Sequence, residues 1–174
     1  MLTELFTSKT RIRVLLKLFL NPGVSSYLRE LAQEFSVSPA AIKDELDKLS
    51  QAGYLSKEKS GRSILFRADT THPFFPEIHS IVRKYLGIDR IIEQVMANLG
   101  VVQRVYILDD YAQGKDSGLI DVLIVGDVNR DKLEAMRLST EKKINRLLRV
   151  MAVSDEEFAG GREVFLARPH WRVV

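Results

Sequence analysis

The sequence predicts an α+β protein with two domains. Two short helical patterns, Tyr27–Phe35 and Ser38–Gln51, leave only Ser36-Val37 for a turn between them. A glycine at position 53 then precedes two strand patterns around a polar tip, an order typical of a winged helix-turn-helix. From Val101 onward the apolar pattern changes to buried strands that alternate with a helix, which indicates a second, α/β domain.

The first two helices are predicted from capping residues and from apolar positions three and four residues apart. Thr7 or Ser8 is the expected cap of a helix that runs from about Lys9 to Leu20. Its predicted buried face consists of Ile12, Leu15, Leu16 and Phe19. Ser25-Ser26 is the expected cap of the second helix.

The third helix has Ser38 as its predicted cap and Pro39 at its first position, where the missing N–H does no harm. Ile42, Leu46 and Leu49 share one face and are expected to pack inward. The opposite face carries Ala40, Asp44, Asp47 and Gln51, and it is flanked by Lys43 and Lys48. Exposed aspartates there would repel phosphates, although an aspartate can accept a hydrogen bond from cytosine.

The predicted wing consists of strands Leu55–Lys57 and Ile64–Arg67 around a tip at Glu58–Ser63. Lys59 and Arg62 place positive charge at this tip, which suits contacts to phosphate or to the minor groove. The first 72 residues hold 11 basic and 8 acidic side chains, whereas the remainder is balanced. The net charge of +3 therefore lies in the half with the helix-turn-helix pattern.

These observations predict duplex DNA as a partner. The predicted contact residues are Ser38, Ala40 and Ala41 near the bases and Lys43, Lys48, Lys59 and Arg62 at the backbone or groove. A homodimer is expected, because two small domains double the electrostatic attraction and match a symmetric operator. The acidic residues of the third helix leave open a protein-binding adaptor as an alternative.

His72-Pro73 marks the predicted end of the first domain, residues 1–72. A helical linker follows over residues 73–99, interrupted near Gly87, with more apolar residues than a spacer needs. It is therefore expected to pack across both domains or to form a dimer seam. Two histidines without clustered carboxylates, His72 and His79, are expected to be structural.

The C-terminal domain, residues 100–174, is predicted as strand, strand, helix, strand. The expected elements are strand Val101–Leu108, loop Asp109–Leu119, strand Ile120–Val125, a helix from Asn129 or Asp131 to about Leu148, strand Arg149–Val153 and a short helix from Ser154.

Composition excludes several classes of function. The chain has no cysteine, so disulfides, thiolate metal sites and cysteine nucleophiles are excluded, which fits a reducing cytoplasm. Lys17 interrupts the apolar run Val14–Leu20, and no stretch approaches the roughly 18 apolar residues of a membrane span. A cytoplasmic protein without a signal peptide or membrane segment is expected.

Two family resemblances cover nearly the whole chain. The segments YLREL at Tyr27–Leu31 and SPAAIKDELDKLSQAGYL at Ser38–Leu55, with the basic hairpin, resemble winged regulators of the ArsR-like kind. The segment YILDDYAQGKDSGLIDVLIVGD at Tyr106–Asp127 resembles a small nucleotidyltransferase domain. The pairing is similar to a prokaryotic regulator family with an appended nucleotidyltransferase fold.

The resemblance also implies that catalysis has been lost. Active members of that family carry Gly-Ser after the first strand to hold phosphates and Asp-x-Asp on the second strand to hold Mg²⁺. Here Asp109-Asp110 occupies the Gly-Ser position, and Leu119 replaces the first aspartate, which leaves Asp121 alone. No catalytic residue, cofactor or metal is therefore predicted.

Two weaker alternatives remain open for this domain. Asp109, Asp110 and Asp121 are weak candidates for a cation site, with Asp116 as a further ligand. An active nucleotidyltransferase is the corresponding enzyme alternative. The favoured prediction is a DNA-binding regulator whose C-terminal domain serves dimerisation or the sensing of an unknown small-molecule effector.

Overall fold

The computed structural model describes residues 8–174, which form two compact units divided between Val82 and Arg83. This division lies within the segment 73–99 that the sequence predicts as a linker, so the two ends of that segment belong to different units. No helix among residues 8–174 is long and apolar enough to cross a membrane.

The N-terminal unit combines helices with a three-stranded antiparallel sheet in the order β1-β3-β2. Its elements are α1 (Lys9–Phe19), β1 (Ser25–Tyr27), α2 (Leu28–Phe35), α3 (Pro39–Gln51), β2 (Leu55–Ser60) and β3 (Ser63–Ala68). Helix α4 (Phe75–Leu86) begins in this unit.

The core of this unit lies among α1, α2 and α3, as their apolar spacing predicts. Leu18, Phe19, Leu31, Ile42 and Leu46 are all completely buried. Each such side chain contributes about 1.5–3 kcal/mol through the removal of apolar surface from water. Ser8 caps α1 by accepting a hydrogen bond from the Arg11 N–H at 3.1 Å, while Thr7, the other predicted cap, lies outside the described residues.

The predicted cap of the second helix is wrong. Ser25 and Ser26 belong to strand β1, which pairs with β3 through the register Ser26↔Phe66. Helix α2 begins only at Leu28, and the Glu30 carboxylate accepts a hydrogen bond from the Tyr27 N–H at 3.0 Å. Pairing with a strand distant in sequence has overridden the local capping preference of serine.

The wing is longer than predicted, because β2 and β3 pair up to Ser60↔Ser63. Gly61 and Arg62 alone connect the strands, and Gly61 has φ of +60°. Two-residue hairpin turns require positive φ, which glycine adopts without steric cost. The basic tip is therefore a tight turn and not a six-residue loop.

The first turns of α4 pack on α1. Phe75 stacks on Phe19 with ring centroids 5.8 Å apart, and His79 Nδ1 lies 2.6 Å from the Phe19 carbonyl oxygen. The His72 ring lies 4.3 Å from that of Tyr54. Both histidines thus have packing contacts within the N-terminal unit.

The C-terminal unit is built on a four-stranded sheet in the order β6-β5-β4-β7. Its elements are α5 (Ile88–Asn98), β4 (Gly100–Leu108), α6 (Asp109–Ala112), β5 (Leu119–Val128), α7 (Arg130–Ile144), β6 (Leu147–Val153), α8 (Asp155–Phe165) and β7 (His170–Arg172). Strand β5 is antiparallel to β4 and parallel to β6, and β7 is antiparallel to β4.

Several predicted bounds in this unit are corrected. Helix α7 ends at Ile144 and not near Leu148, because Asn145 adopts a left-handed conformation with φ of +54°. Strand β6 consequently starts at Leu147, before the predicted Arg149. The predicted loop Asp109–Leu119 contains the helical turn α6, and the C-terminal strand β7 was not predicted.

Apolar side chains cover one face of the sheet beneath α8. This cluster consists of Tyr106, Leu108, Leu123, Val125, Val153 and Phe158. The alternation of these residues along β4, β5 and β6 follows the two-residue period of a strand. Helix α5 contacts β4, α7 contacts β6, and the two helices also contact each other.

Candidate nucleic-acid interface

A tight turn positions α3 after α2. Ser36 adopts a left-handed conformation with φ of +53°, and the Val37 N–H donates to the Ala32 carbonyl at 3.1 Å. The Ser38 hydroxyl oxygen then accepts a hydrogen bond from the Ala41 N–H at 3.2 Å and caps α3. Together with the β2–β3 hairpin, this completes the architecture. The N-terminal unit has the architecture of a winged helix-turn-helix.

Helix α3 presents the predicted faces. Ile42, Leu46 and Leu49 are buried, while the predicted base-side residues Ser38, Ala40 and Ala41 are exposed at its leading end. The sequence did not indicate that Glu45 would also be buried. Its carboxylate accepts hydrogen bonds from Arg11 at 2.8 Å and from the Ser8 hydroxyl, which joins α3 to α1.

The outward face of α3 is a set of ion pairs and not a free acidic surface. Lys43 Nζ lies 3.1 Å from an Asp47 carboxylate oxygen, and Lys48 Nζ lies 2.6 Å from one of Asp44. Lys57 of the wing reaches Asp47 as well, at 3.3 Å. Each aspartate is therefore locally neutralised, and so are two of the predicted DNA contacts.

Hydrogen bonds from Lys43 and then Lys57 lower the pKa of Asp47 below its ordinary value. Because the carboxyl is at the surface, this interaction stabilises the fold little. Its importance lies in the arrangement of charge. Two lysines on different elements share one aspartate, which holds β2 of the wing close to α3.

The wing tip carries cations that no acid among residues 8–174 neutralises. Lys59 and Arg62 are exposed, and neither makes an ion pair within residues 8–174. Arg67, further along β3, is instead 4.0 Å from Glu58. The two predicted wing contacts are thus available to an anionic partner.

A cleft of about 650 Å³ lies between α3 and the wing. Lys43 and Asp47 form one wall, and Lys57 and Arg62 form another. Its remaining wall comes from the start of α2, where Arg29 is exposed and makes no ion pair among the described residues. Four basic residues and one acidic residue therefore surround this cleft.

Sequence reasoning missed Tyr27, Arg29 and Lys57 as members of this surface. The Tyr27 hydroxyl donates to the Ser60 hydroxyl at 3.0 Å and ties the start of α2 to the wing. Arg29 could be read from the sequence as an outward residue of the second helix. Its proximity to the wing follows only from the pairing of β1 with β3, which has no local signal.

In the C-terminal unit, arginines engage Asp109 and Asp121, two of the three candidate cation ligands. Asp121 on β5 pairs with Arg149, its neighbour in the register of the parallel strand β6. Asp109 pairs with Arg168, whose Nε donates at 2.8 Å. Residues 8–174 contain no group of three or more acidic or histidine side chains that could hold a metal ion.

Asp116, the further candidate ligand, has a structural role in this unit. It forms an ion pair with Arg146 at 2.7 Å and accepts a hydrogen bond from the buried Tyr111 hydroxyl. Burial raises the pKa of Asp116, but hydrogen bonds from Arg146 and Tyr111 outweigh it and lower the pKa below the ordinary value. Burial and the same carboxylate raise the pKa of Tyr111.

Comparison with known proteins finds similarity to parts of solved structures only. The chain matches no protein-family model, and no curated protein is significantly similar to it. Reduced HlyU from Vibrio cholerae is 16% identical over 50% of this chain and 83% of that protein, with a TM-score of 0.39.

YusO from Bacillus subtilis is 20% identical over 49% of this chain and 61% of its own, with a TM-score of 0.36. The antimony-specific transcriptional repressor AntR is 18% identical over 51% of this chain and 72% of its own, with a TM-score of 0.37. Similarity at this level assigns no function to the chain.

Proposed function

We propose that the protein is a DNA-binding transcriptional regulator. The observation that carries this proposal is a set of cations, Arg29, Lys59 and Arg62, on the start of α2 and on the wing, which make no ion pair within residues 8–174. Phosphate contacts supply most of the non-specific affinity of DNA-binding proteins. A helix flanked by such cations suits a major groove bordered by two phosphate backbones.

Helix α3 itself contributes shape and few unpaired charges. Its leading end carries Ser38, Ala40 and Ala41, whose small side chains allow close approach to base edges. Its lysines are paired with aspartates, so contacts from Lys43 and Lys48 to phosphate require those pairs to open. Affinity is therefore expected to come mainly from Arg29 and the wing.

The regulator is expected to act as a homodimer. A single small domain makes few phosphate contacts, whereas two copies double them and fit a two-fold symmetric operator. Half-sites one or two helical turns apart are the expected arrangement.

Selection of bound genomic DNA, followed by footprinting, tests this function. Purified protein is incubated with sheared genomic fragments at low salt, and the retained fragments are sequenced and footprinted. The expected result is a common sequence with two protected half-sites. Retention of no fragment above the level of an unrelated acidic protein would contradict DNA binding and favour the adaptor alternative.

The C-terminal unit is proposed to resemble a nucleotidyltransferase without its activity. Strand β6, where the resemblance implies that an active enzyme would supply a further carboxylate, offers none over Arg149–Val153, and its Arg149 engages the lone Asp121. Asp109 is likewise engaged by Arg168. Both contacts occupy carboxylates that Mg²⁺ would need as ligands, and so oppose its binding at the ends of these strands.

Incubation of the protein with each labelled nucleoside triphosphate and Mg²⁺ tests this part of the proposal. No transfer to protein, RNA or small-molecule acceptors is expected. Turnover in the wild-type protein that disappears in Asp121→Asn would overturn it and would establish the enzyme alternative.

A further inference from the structure

A second cavity lies in the N-terminal unit, apart from the cleft beside the wing. Its volume is about 350 Å³, within the range of pockets that hold small molecules. Helix α1 contributes Ile12 and Leu15, α3 contributes Leu49, and the first two turns of α4 contribute Ile78 and Ile81. These walls are almost entirely apolar.

Large apolar side chains at the rim of this cavity are exposed to solvent. Phe74 is 59% exposed and Ile81 is 44% exposed, although both are large apolar residues. Tyr54 lies beside them, with the His72 ring between the two aromatic residues at 4.3 Å from Tyr54 and 5.9 Å from Phe74. Exposed apolar groups around a concave surface typically mark a binding site.

The charge at this cavity is negative. Arg11 belongs to its wall, but its guanidinium is paired with the buried Glu45 at 2.8 Å. His72 Nδ1 accepts a hydrogen bond from the Phe74 N–H at 3.1 Å. Glu77 is exposed and makes no ion pair or hydrogen bond within residues 8–174, so its carboxylate is the uncompensated charge.

We propose that this cavity binds a small organic cation with an aromatic or aliphatic body. The body fits the apolar walls, and the cationic group is attracted both by the faces of Tyr54 and Phe74 and by the Glu77 carboxylate. An organic anion would meet Glu77 without a free cation to balance it. A neutral molecule would gain nothing from the carboxylate.

The position of the cavity gives such a ligand a means of regulation, which rests on the proposed DNA binding. Leu49 is in the last turn of α3, and Tyr54 lies between α3 and the first strand of the wing. A ligand in contact with both residues constrains the two elements that flank the DNA-binding cleft. Binding of the cation is therefore expected to change the affinity for DNA by several-fold.

Phenyltrimethylammonium and its neutral isostere tert-butylbenzene test the binding proposal directly. The full-length protein is titrated with each compound, and backbone amide shifts are followed by two-dimensional NMR. The cation is expected to saturate, to shift the amides of Tyr54, Phe74 and Glu77, and to bind about fivefold more tightly than the isostere.

Matched variants test the contribution of the Glu77 charge to binding separately from that of the apolar walls. Glu77→Gln is expected to reduce the difference between cation and isostere to about twofold or less. Glu163→Gln removes an exposed carboxylate from α8 and should leave both affinities unchanged. Both glutamates are on the surface, so neither change threatens folding.

Three results would overturn the binding proposal. They are equal affinity for the two compounds, shifts confined to residues outside the cavity, and absence of saturation. Absence of saturation together with a dimer that Phe74→Ala dissociates would show that a second copy occupies the cavity instead. The regulatory link is tested separately, by the affinity for a retained DNA fragment. If the cation binds but leaves this affinity unchanged, only the regulatory link is contradicted.

Discussion

The Asp116 side chain connects separate segments of the C-terminal unit. It links the loop before β5 to the turn after α7 through Arg146, whose side chain is only 13% exposed. The same guanidinium donates to the Ile144 and Tyr85 carbonyls. Removal of the carboxylate would leave the mostly buried Arg146 without its counter-ion and the buried Tyr111 hydroxyl without its acceptor.

Asp116→Ala is therefore expected to destabilise the C-terminal unit by about 2–3 kcal/mol, the cost of leaving buried donors unsatisfied. Urea unfolding followed by circular dichroism measures this change in the free energy of unfolding. Glu163→Ala, at an exposed position on α8, is the control and should change it by less than about 0.5 kcal/mol. Equal effects of the two changes would contradict the structural role of Asp116.

The stability contributed by Asp116 is also expected to depend on pH. Its pKa in the folded protein is lowered, so its contribution is fully present above the ordinary aspartate pKa and is lost as the pH falls through the folded value. The difference in unfolding free energy between wild type and Asp116→Asn should be constant near neutrality and shrink below about pH 4. Urea titrations at several pH values measure it, and a difference that grows with acid would contradict this assignment.

At the scale of elements, the ion pairs of α3 restrain both its lysines and the wing. Asp47 holds Lys43 and Lys57, and Asp44 holds Lys48, so two aspartates pair with three cations of α3 and the wing. Conversion of both aspartates to asparagine keeps their shape and releases those cations.

The double change Asp44→Asn and Asp47→Asn is expected to strengthen binding to DNA about tenfold at low salt and to steepen its salt dependence. Fluorescence anisotropy with a retained genomic fragment measures both quantities. A control change of two exposed acids in α8, Glu156→Gln and Glu163→Gln, should leave affinity nearly unaltered. Weaker binding by the α3 variant would show instead that an aspartate contacts a base.

The hydrogen bond that caps α3 is expected to stabilise the N-terminal unit. Ser38→Ala removes the acceptor of the Ala41 N–H and should destabilise the N-terminal unit by about 1 kcal/mol. Ser139→Ala, at an exposed position within α7, is the matched control and is expected to be neutral or slightly stabilising. Thermal unfolding of the two variants measures the difference.

The residues that the sequence placed correctly are those whose signals are local. The cap at Ser38, the buried face of Ile42 and Leu46, and the basic turn at Arg62 follow from spacing and turn chemistry over a few residues. The pairing of β1 with β3 joins segments far apart in the chain and competes with a plausible serine cap. The position of Arg29 beside the wing could not be predicted for that reason.

The same distinction applies to the candidate site in the C-terminal unit. The sequence identifies Asp109, Asp110 and Asp121 as weak cation ligands, because their order along the chain suggests that they meet at the ends of strands. It does not indicate that Arg149 and Arg168 engage two of them, since the register of β6 and the return of the chain through β7 decide those contacts.

Across the molecule, the two units differ in how their basic residues are paired. The excess of basic residues lies within the first 72 positions, and two of those that make no ion pair within residues 8–174, Arg29 and Arg62, line the cleft beside α3. The C-terminal unit pairs its candidate-site arginines with its own acids. DNA affinity is thus expected to depend on cations of the N-terminal unit and to be insensitive to those of the C-terminal unit.

The salt dependence of DNA binding tests this claim most directly. Dissociation constants for a retained fragment are measured at several salt concentrations for wild type, for Lys59→Ala with Arg62→Ala, and for a control with Lys142→Ala and Lys143→Ala in α7. Loss of two phosphate contacts should make the plot of the log of the association constant against the log of the salt concentration less steep, by about 2, in the wing variant only. An unchanged slope in the wing variant, or an equal loss in the α7 control, would contradict the account.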